Sequence, residues 1–284
     1  MPDLTLHKIF YDERSQTTIE PPYVPLDNGD GPPGWFELWP ILHYLETHSL
    51  EEDHWYGFVS PKFPEKLGVR LESIEALIAD HPTAEVALCS YNWVSLAKWR
   101  NVWLSGDRYH PGLIDCAEAF LASIGKPTDL AAMIGDFTTS VHSNYIIAKP
   151  RFWRAWQALA RQYVDYVDLA DPPRRDDSPT HHDGPADYRL KTFVQERLVC
   201  WLLQTGGFRT VHLDYARAMP IPAPDRSEAD RAARLFVRAD LFKRLARRGA
   251  AGIFLRLHAR AARKAGKHLR RSRREASTPQ GAVD

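Results

Sequence analysis

Apolar residues along this chain form short runs separated by loops rich in proline, glycine and charge, and the runs alternate between strand-like and helical spacing. Residues 7–11 predict a first strand and residues 23–26 a second extended piece, which ends in the loop Asp27-Asn28-Gly29-Asp30-Gly31-Pro32-Pro33-Gly34. Trp35, Phe36, Leu38, Trp39, Ile41, Leu42 and Leu45 then recur at helical intervals, with Pro40 tolerable only in a first turn. Trp55-Tyr56-Gly57-Phe58-Val59 predicts a buried strand, and residues 70–80 a helix with Leu71, Ile74, Leu77 and Ile78 on one face. Residues 85–89 predict another strand, followed by the polar, aromatic loop Ser90-Tyr91-Asn92-Trp93. Further on come a helix at 113–124 ended by Gly125, a strand at 144–148, a helix at 151–167 opened by Pro150, and an exposed loop at 171–185. A helix at 190–203, stopped by Gly206-Gly207, and a short strand at 211–213 complete the pattern. Strands alternating with helices predict an α/β sheet covered by helices.

Pro220, Pro222 and Pro224 read as a linker, which divides the chain into residues 1–222 and a helical tail, 223–284. Ser227 and Glu228 suit a helix start. Leu235, Phe236, Leu241, Phe242 and Leu245 follow at helical spacing, Gly249 interrupts, and a second helix is expected from about Ile253 to Leu269. The tail changes the meaning of the net charge of +1. Residues 226–275 hold 17 Lys or Arg against 4 Asp or Glu, and the rest holds 20 against 32, so an acidic body carries a tail of +13. Such a tail fits an anionic membrane surface through residues 226–274, or a solvated helix packed on the acidic body. Nucleic acid is not expected as a partner, because most of the surface would repel it.

The composition, 44% hydrophobic and 26% charged, is that of a globular protein. Cys89, Cys116 and Cys200 form neither a disulfide framework nor a zinc motif. The opening Met-Pro-Asp-Leu-Thr has no basic-then-apolar signal, and no apolar run reaches the ~20 residues of a membrane span. A cytoplasmic location is therefore expected, peripheral on the inner face of the membrane if the tail binds there.

Three stretches converge on chemistry. In Trp55–Phe63, Gly57 either fills a packing gap or admits a ligand, and Ser60 and Lys62 leave the strand, Lys62 as a point charge suited to phosphate. In 144–150, Asn144 and Lys149 bracket a strand, Asn144 offering an amide to a sugar hydroxyl. Glu196 lies on an apolar helix beside Arg197, and Glu37 sits among Trp35, Phe36, Leu38 and Trp39; each is either a general base or half of an ion pair. His110, in His-Pro-Gly, can face a cleft from a tight turn, and Asp12, Asp27 and Asn28 stand at early strand ends. His181-His182-Asp183 lies in the exposed loop and does not make a preformed metal site. No glycine-rich phosphate loop, Gly-x-Ser-x-Gly elbow or Asp-x-Asp motif is present.

In order and character, residues 7–215 resemble the GT-A-like glycosyltransferases of bacterial capsule and O-antigen synthesis. The likeness rests on the acidic-aromatic helix at Glu37, the Tyr56-Gly57-Phe58 strand, the Asn144-Tyr145 strand before Phe152-Trp153, and the Glu196-Arg197-Leu198 helix. It departs from the family in lacking Asp-x-Asp, and in having Ser-Pro-Lys-Phe after the glycine strand where some relatives carry a His-Tyr-Arg-Arg type sequence. The resemblance implies a GT-A-like mixed sheet and transfer of sugar from a nucleotide-sugar donor to a glycan or lipid-linked acceptor. Glu196 and Glu37 would be the carboxylates near the acceptor and Lys62 and Lys149 the diphosphate ligands. Asp12, Asp27 and Asn28 would face the nucleotide or a metal. The missing motif leaves Mn or Mg dependence open. The alternatives are an inactive nucleotide-sugar or glycan-binding protein of the same fold, and a nucleic-acid-binding protein acting through its tail.

Overall fold

A computed structural model describes residues 2–143, 145–180 and 188–274. In chain order the elements are β1 (Leu4–Phe10), α1 (Glu13–Gln16), β2 (Tyr23–Asp27), α2 (Leu38–Thr47), β3 (Trp55–Val59), α3 (Phe63–Leu67), α4 (Leu71–Ala79), β4 (Val86–Leu88), α5 (Trp93–Lys98) and α6 (Val102–Tyr109). They continue with α7 (Leu113–Ser123), β5 (Ile146–Ala148), α8 (Pro150–Asp168), α9 (Leu190–Thr205), β6 (Thr210–His212), α10 (Tyr215–Ala218), α11 (Arg226–Arg248) and α12 (Ala251–Arg274). The strands form one six-stranded mixed sheet in the order β2-β1-β3-β5-β4-β6, flanked by helices. Strands β1, β2 and β3 pair in parallel, as do β4 and β6, whereas β5 runs antiparallel between β3 and β4.

The central strands are buried on both faces, which is why their sequences are continuous apolar runs. Helix α8 buries Phe152, Trp153, Trp156, Tyr163, Val164 and Val167, a stripe at helical spacing. The Trp153 indole N–H donates to the carbonyls of Tyr56 (3.0 Å) and Ala148 (3.1 Å), and the ring meets Phe58 edge-on at 4.8 Å. That contact satisfies strand carbonyls where the short antiparallel ladder ends. Helix α9 is buried almost all round, as a helix apolar on every side must be. Pro40 falls in the first turn of α2, the place where proline is tolerated.

The expected elements recur with shifted ends. β1 begins at Leu4, and β5 at Ile146. Residues 90–93 are not wholly loop, because α5 begins at Trp93, and α6 follows with Asn101 as its cap. The Asn101 side chain accepts from Leu104 N–H at 2.8 Å and donates to the Met133 carbonyl at 2.7 Å.

The tail packs on the body. Phe236 is 1% exposed and meets Trp93 edge-on at 6.4 Å. Lys243, completely buried, donates to the carbonyls of Leu96 (2.6 Å), Trp99 (3.3 Å) and Gly135 (2.5 Å) and pairs with Asp240 at 3.4 Å. Leu96 and Trp99 lie at the C-terminal end of α5, where unpaired carbonyls favour a cation. Arg247 reaches buried Asp136 at 2.9 Å. Burial opposes the Lys243 charge and lowers its pKa, while Asp240 and Asp136 act the other way.

Lys243→Met should therefore destabilise the protein by about 3 kcal/mol or more, since it leaves three carbonyls without their donor and takes a cation away from buried Asp240. Adding Asp240→Asn should restore part of the loss. Urea unfolding of both variants measures this, and equal stability of wild type and Lys243→Met would contradict the role assigned to Lys243.

Candidate active site

In an open α/β sheet, side chains at the carboxyl ends of the parallel strands meet at one edge. Here that edge collects Tyr11 after β1, Asp27 at the end of β2, Ser60 after β3 and Ser90 after β4. Because β5 is antiparallel, it brings its first residues, not its last, to this edge. Tyr145 hydroxyl and Ser60 Oγ are 2.8 Å apart there.

Glu37 and Glu196 both stand near this edge, close enough for the Glu37 charge to act on Glu196. Glu37 immediately precedes α2, at the end of a loop fixed by α9. Thr192 hydroxyl donates to the Gly34 carbonyl (2.8 Å), Gln195 amide to the Trp35 carbonyl (3.1 Å), and Asn28 amide to the Phe36 carbonyl (3.1 Å). Gly34 has φ +79°, and Phe36 holds φ +38°, which is strained for a side chain with a Cβ. Trp35 is wholly buried, its indole N–H on Asp168 at 3.0 Å. The helix that carries Glu196 thus also holds the loop that carries Glu37.

Both carboxylates are half-buried, enclosed by protein but reachable by solvent. Burial, then the Glu37 charge, pushes Glu196 up to about 7, against the opposing pull of Arg197 and Lys66. Glu37 is likewise raised by burial, opposed by Lys66 and by a hydrogen bond with Tyr11. The Tyr11 and Tyr145 hydroxyls are raised by burial, with Glu37 adding to each. Arg197, with Nη1 at 3.7 Å from Glu196, is fixed by the carbonyls of Val102 (3.2 Å) and Phe193 (2.6 Å). Gly106 leaves the slot it occupies, since a Cβ there would run into the guanidinium. A carboxyl raised to about 7 is suited to giving and taking protons near neutral pH, and Lys66 supplies positive charge near it.

Lys66 also borders a groove of about 470 Å³ with Tyr91, Asn92, Met219, Ile221 and Arg273. Its ammonium lies 5.2 Å from the centre of the Tyr91 ring. The groove runs from Lys66 and Tyr91 to Leu269 and Arg273, near the C-terminal end of α12.

The expected site residues divide. Glu37, Glu196 and Ser60 come together at this edge. Lys62 is exposed at the start of α3, one turn ahead of Lys66. Asp12 is spent as the N-cap of α1, accepting from the Ser15 hydroxyl and the Ser15 N–H, each at 2.6 Å, which holds its pKa below the usual range. Asp27 accepts from Gly29 N–H at 2.8 Å, and Asn28 keeps a buried Oδ1 with no hydrogen-bond partner among the described residues. Asn144 and the His181-His182-Asp183 run lie outside the described residues. His110 stacks on Phe193 at 3.5 Å and lines another recess with Tyr109, Arg175 and Thr180.

Two expectations need correction. Lys149 follows β5, and the reversed direction of that strand puts it at the opposite edge, 3.8 Å from Asp53 and over Trp55. It is not a partner of Lys62 for a diphosphate. Gly57 lies mid-strand, where a Cβ would meet Leu6 and lie 2.9 Å from Ile147; it fills a packing gap. Sequence reasoning missed Lys66, Tyr11 and Tyr91. Pro64 and Gly68 flank Lys66 as the start and stop signals of a short helix, and they were the available clue.

For a metal, the donor set at this edge is thin, with Asp12 and Asp27 already engaged by their own loops. Among the described residues, three potential ligands converge at Asp3, Glu51 and His54, at the opposite edge. Both imidazole nitrogens of His54 are engaged there, by Asp3 at 3.1 Å and Thr5 at 2.8 Å.

Comparisons with family models, with curated proteins and with solved structures find no match for this chain.

The raised pKa of Glu196 has a stability consequence. The folded state binds this proton more tightly than the unfolded chain. The corresponding stability is complete below the ordinary value of 4.5 and is lost as pH rises through about 7. Relative to Glu196→Gln, the wild type should therefore lose about 1–3 kcal/mol between pH 4.5 and 8. Denaturant unfolding across that range checks this; parallel curves for the two proteins would contradict it.

Proposed function

We propose that the protein is a glycosyltransferase of GT-A-like fold that moves a sugar from a nucleotide-sugar donor to a hydroxyl of a surface-polysaccharide or glycolipid precursor. The observation that carries this reading is the Glu37–Glu196 pair beside Lys66 at the carboxyl edge of a mixed sheet. An acceptor hydroxyl is a poor nucleophile until a base removes its proton. Glu196, in its ionised fraction, takes that proton as the acceptor oxygen bonds to the anomeric carbon. The bond from that carbon to the diphosphate breaks, and the nucleoside diphosphate leaves with the electron pair. Lys66 stabilises the departing negative charge, and exposed Lys62 lies on the same short helix. The groove beside Lys66 offers Tyr91 as a surface for a ring and the Asn92 amide for hydroxyls.

A binding protein that kept the fold and lost catalysis is a second reading. It is favoured by one observation, the engagement of Asp12 and Asp27 by their own loops.

Thermal shift against UDP-, GDP-, CDP- and dTDP-sugars, with and without Mn²⁺, tests donor binding. Stabilisation by one class is expected, and it should be weakened in Lys66→Ala. Indifference to all four at millimolar concentration would overturn the transferase reading and leave only a glycan binder of the second. Where a donor binds, turnover separates the two. Glu196→Gln should keep donor binding and lose donor hydrolysis or transfer by about 10²-fold or more. A wild type that binds without turning over supports the second reading.

A further inference from the structure

Helix α12 contains nine Lys or Arg and no Asp or Glu. Its inner face is small and docked: Ala261, Ala262, Ala265 and Ser272 are buried, and His258 is 3.0 Å from the Ala97 carbonyl. Its outer face is different. Ile253, Leu257, Arg260, Lys264, Lys267 and Arg271 follow one another at three- and four-residue steps, so they form a single stripe along the helix. Ile253 is 56% exposed and Leu257 36%. Among the described residues, α12 makes one ion pair, His268 with Glu228 at 2.7 Å, and the stripe makes none. Arg234 and Arg238 of α11 extend the positive field across the seam between the two helices.

A row of unpaired cations repels itself, and the acidic body does not neutralise it. We infer that the outer face of α12 docks on an anionic lipid bilayer. Charge complementarity selects a polyanionic partner, and the exposed apolar end selects a bilayer over a nucleic acid. A headgroup layer attracts the basic side chains and lets Ile253 and Leu257 enter the acyl boundary, where a duplex offers them nothing. The docking does not depend on the transferase reading.

The test uses the full-length protein, sedimented with vesicles of phosphatidylcholine alone or of phosphatidylcholine with about one quarter phosphatidylglycerol. Removal of everything beyond Pro224 is a poor probe, because it strips Phe236 from Trp93 and Lys243 from its carbonyls. Charge reversal at exposed positions is better. Binding to the anionic vesicles is expected, with little to the neutral ones. It should fall about tenfold or more in R260E/K264E/K267E, and weaken in Ile253→Ser/Leu257→Ser. The equally charge-changed R14E/R70E/K126E, on the body, should bind as the wild type does. Raising salt from about 50 to 500 mM should release the wild type itself, a readout that needs no variant. No binding to anionic vesicles at low salt would overturn the proposal. So would equal loss in both triple variants, or binding of duplex DNA where vesicles are ignored.

Discussion

Two carboxylates cannot be kept close together in a half-buried place unless the backbone that carries them is held from outside. Here the holding is done by α9. Its Thr192 and Gln195 side chains bind the carbonyls of Gly34 and Trp35, while Asn28 binds that of Phe36. These bonds keep Phe36 at a positive φ and set Glu37 against Glu196 on the same helix. Desolvation then pushes both carboxyls up, the Glu37 charge raises Glu196 further, and Lys66, Arg197 and Tyr11 keep the penalty bounded. Without the clamp, Glu37 would turn to solvent and Glu196 would lose one of the two influences that raise it.

The reversed strand β5 is the second constraint. It decides which polar residues share an edge, because its first residues join the carboxyl ends of β3 and β4 and its last residue does not. Tyr145 consequently meets Ser60, while Lys149 meets Asp53 across the sheet. The crevice next to Lys66 opens toward the end of α12, so the tail borders the same region that the strands define.

Much of the framework was legible as pattern. The strand Trp55–Val59 was read to the residue, and α8 and α9 nearly so, because long apolar stripes and the signals of Pro150 and Gly206 leave few alternatives. The short helices α3, α5 and α6 were not, since five to eight residues give too little periodicity and their caps are the main clue. Glu37 and Glu196 stood out as charges in apolar company, but no local pattern says that two such charges meet. Lys149 looked equivalent to Lys62 because strand direction is invisible in a run of three apolar residues. Counting tail charges also hid Lys243, which spends its charge inside the protein on carbonyls of α5. Only the outer stripe of α12 keeps the character that the count suggested.

Glu196 feels the charge of Glu37 in a poorly hydrated cleft. Carboxyl-carbon NMR titration of Glu196 in the wild type and in Glu37→Gln tests it most directly. The expected midpoint is about 7 for the wild type, moving down when the Glu37 charge is removed. A Glu196 that titrates in the ordinary glutamate range, unmoved by Glu37→Gln, would contradict it.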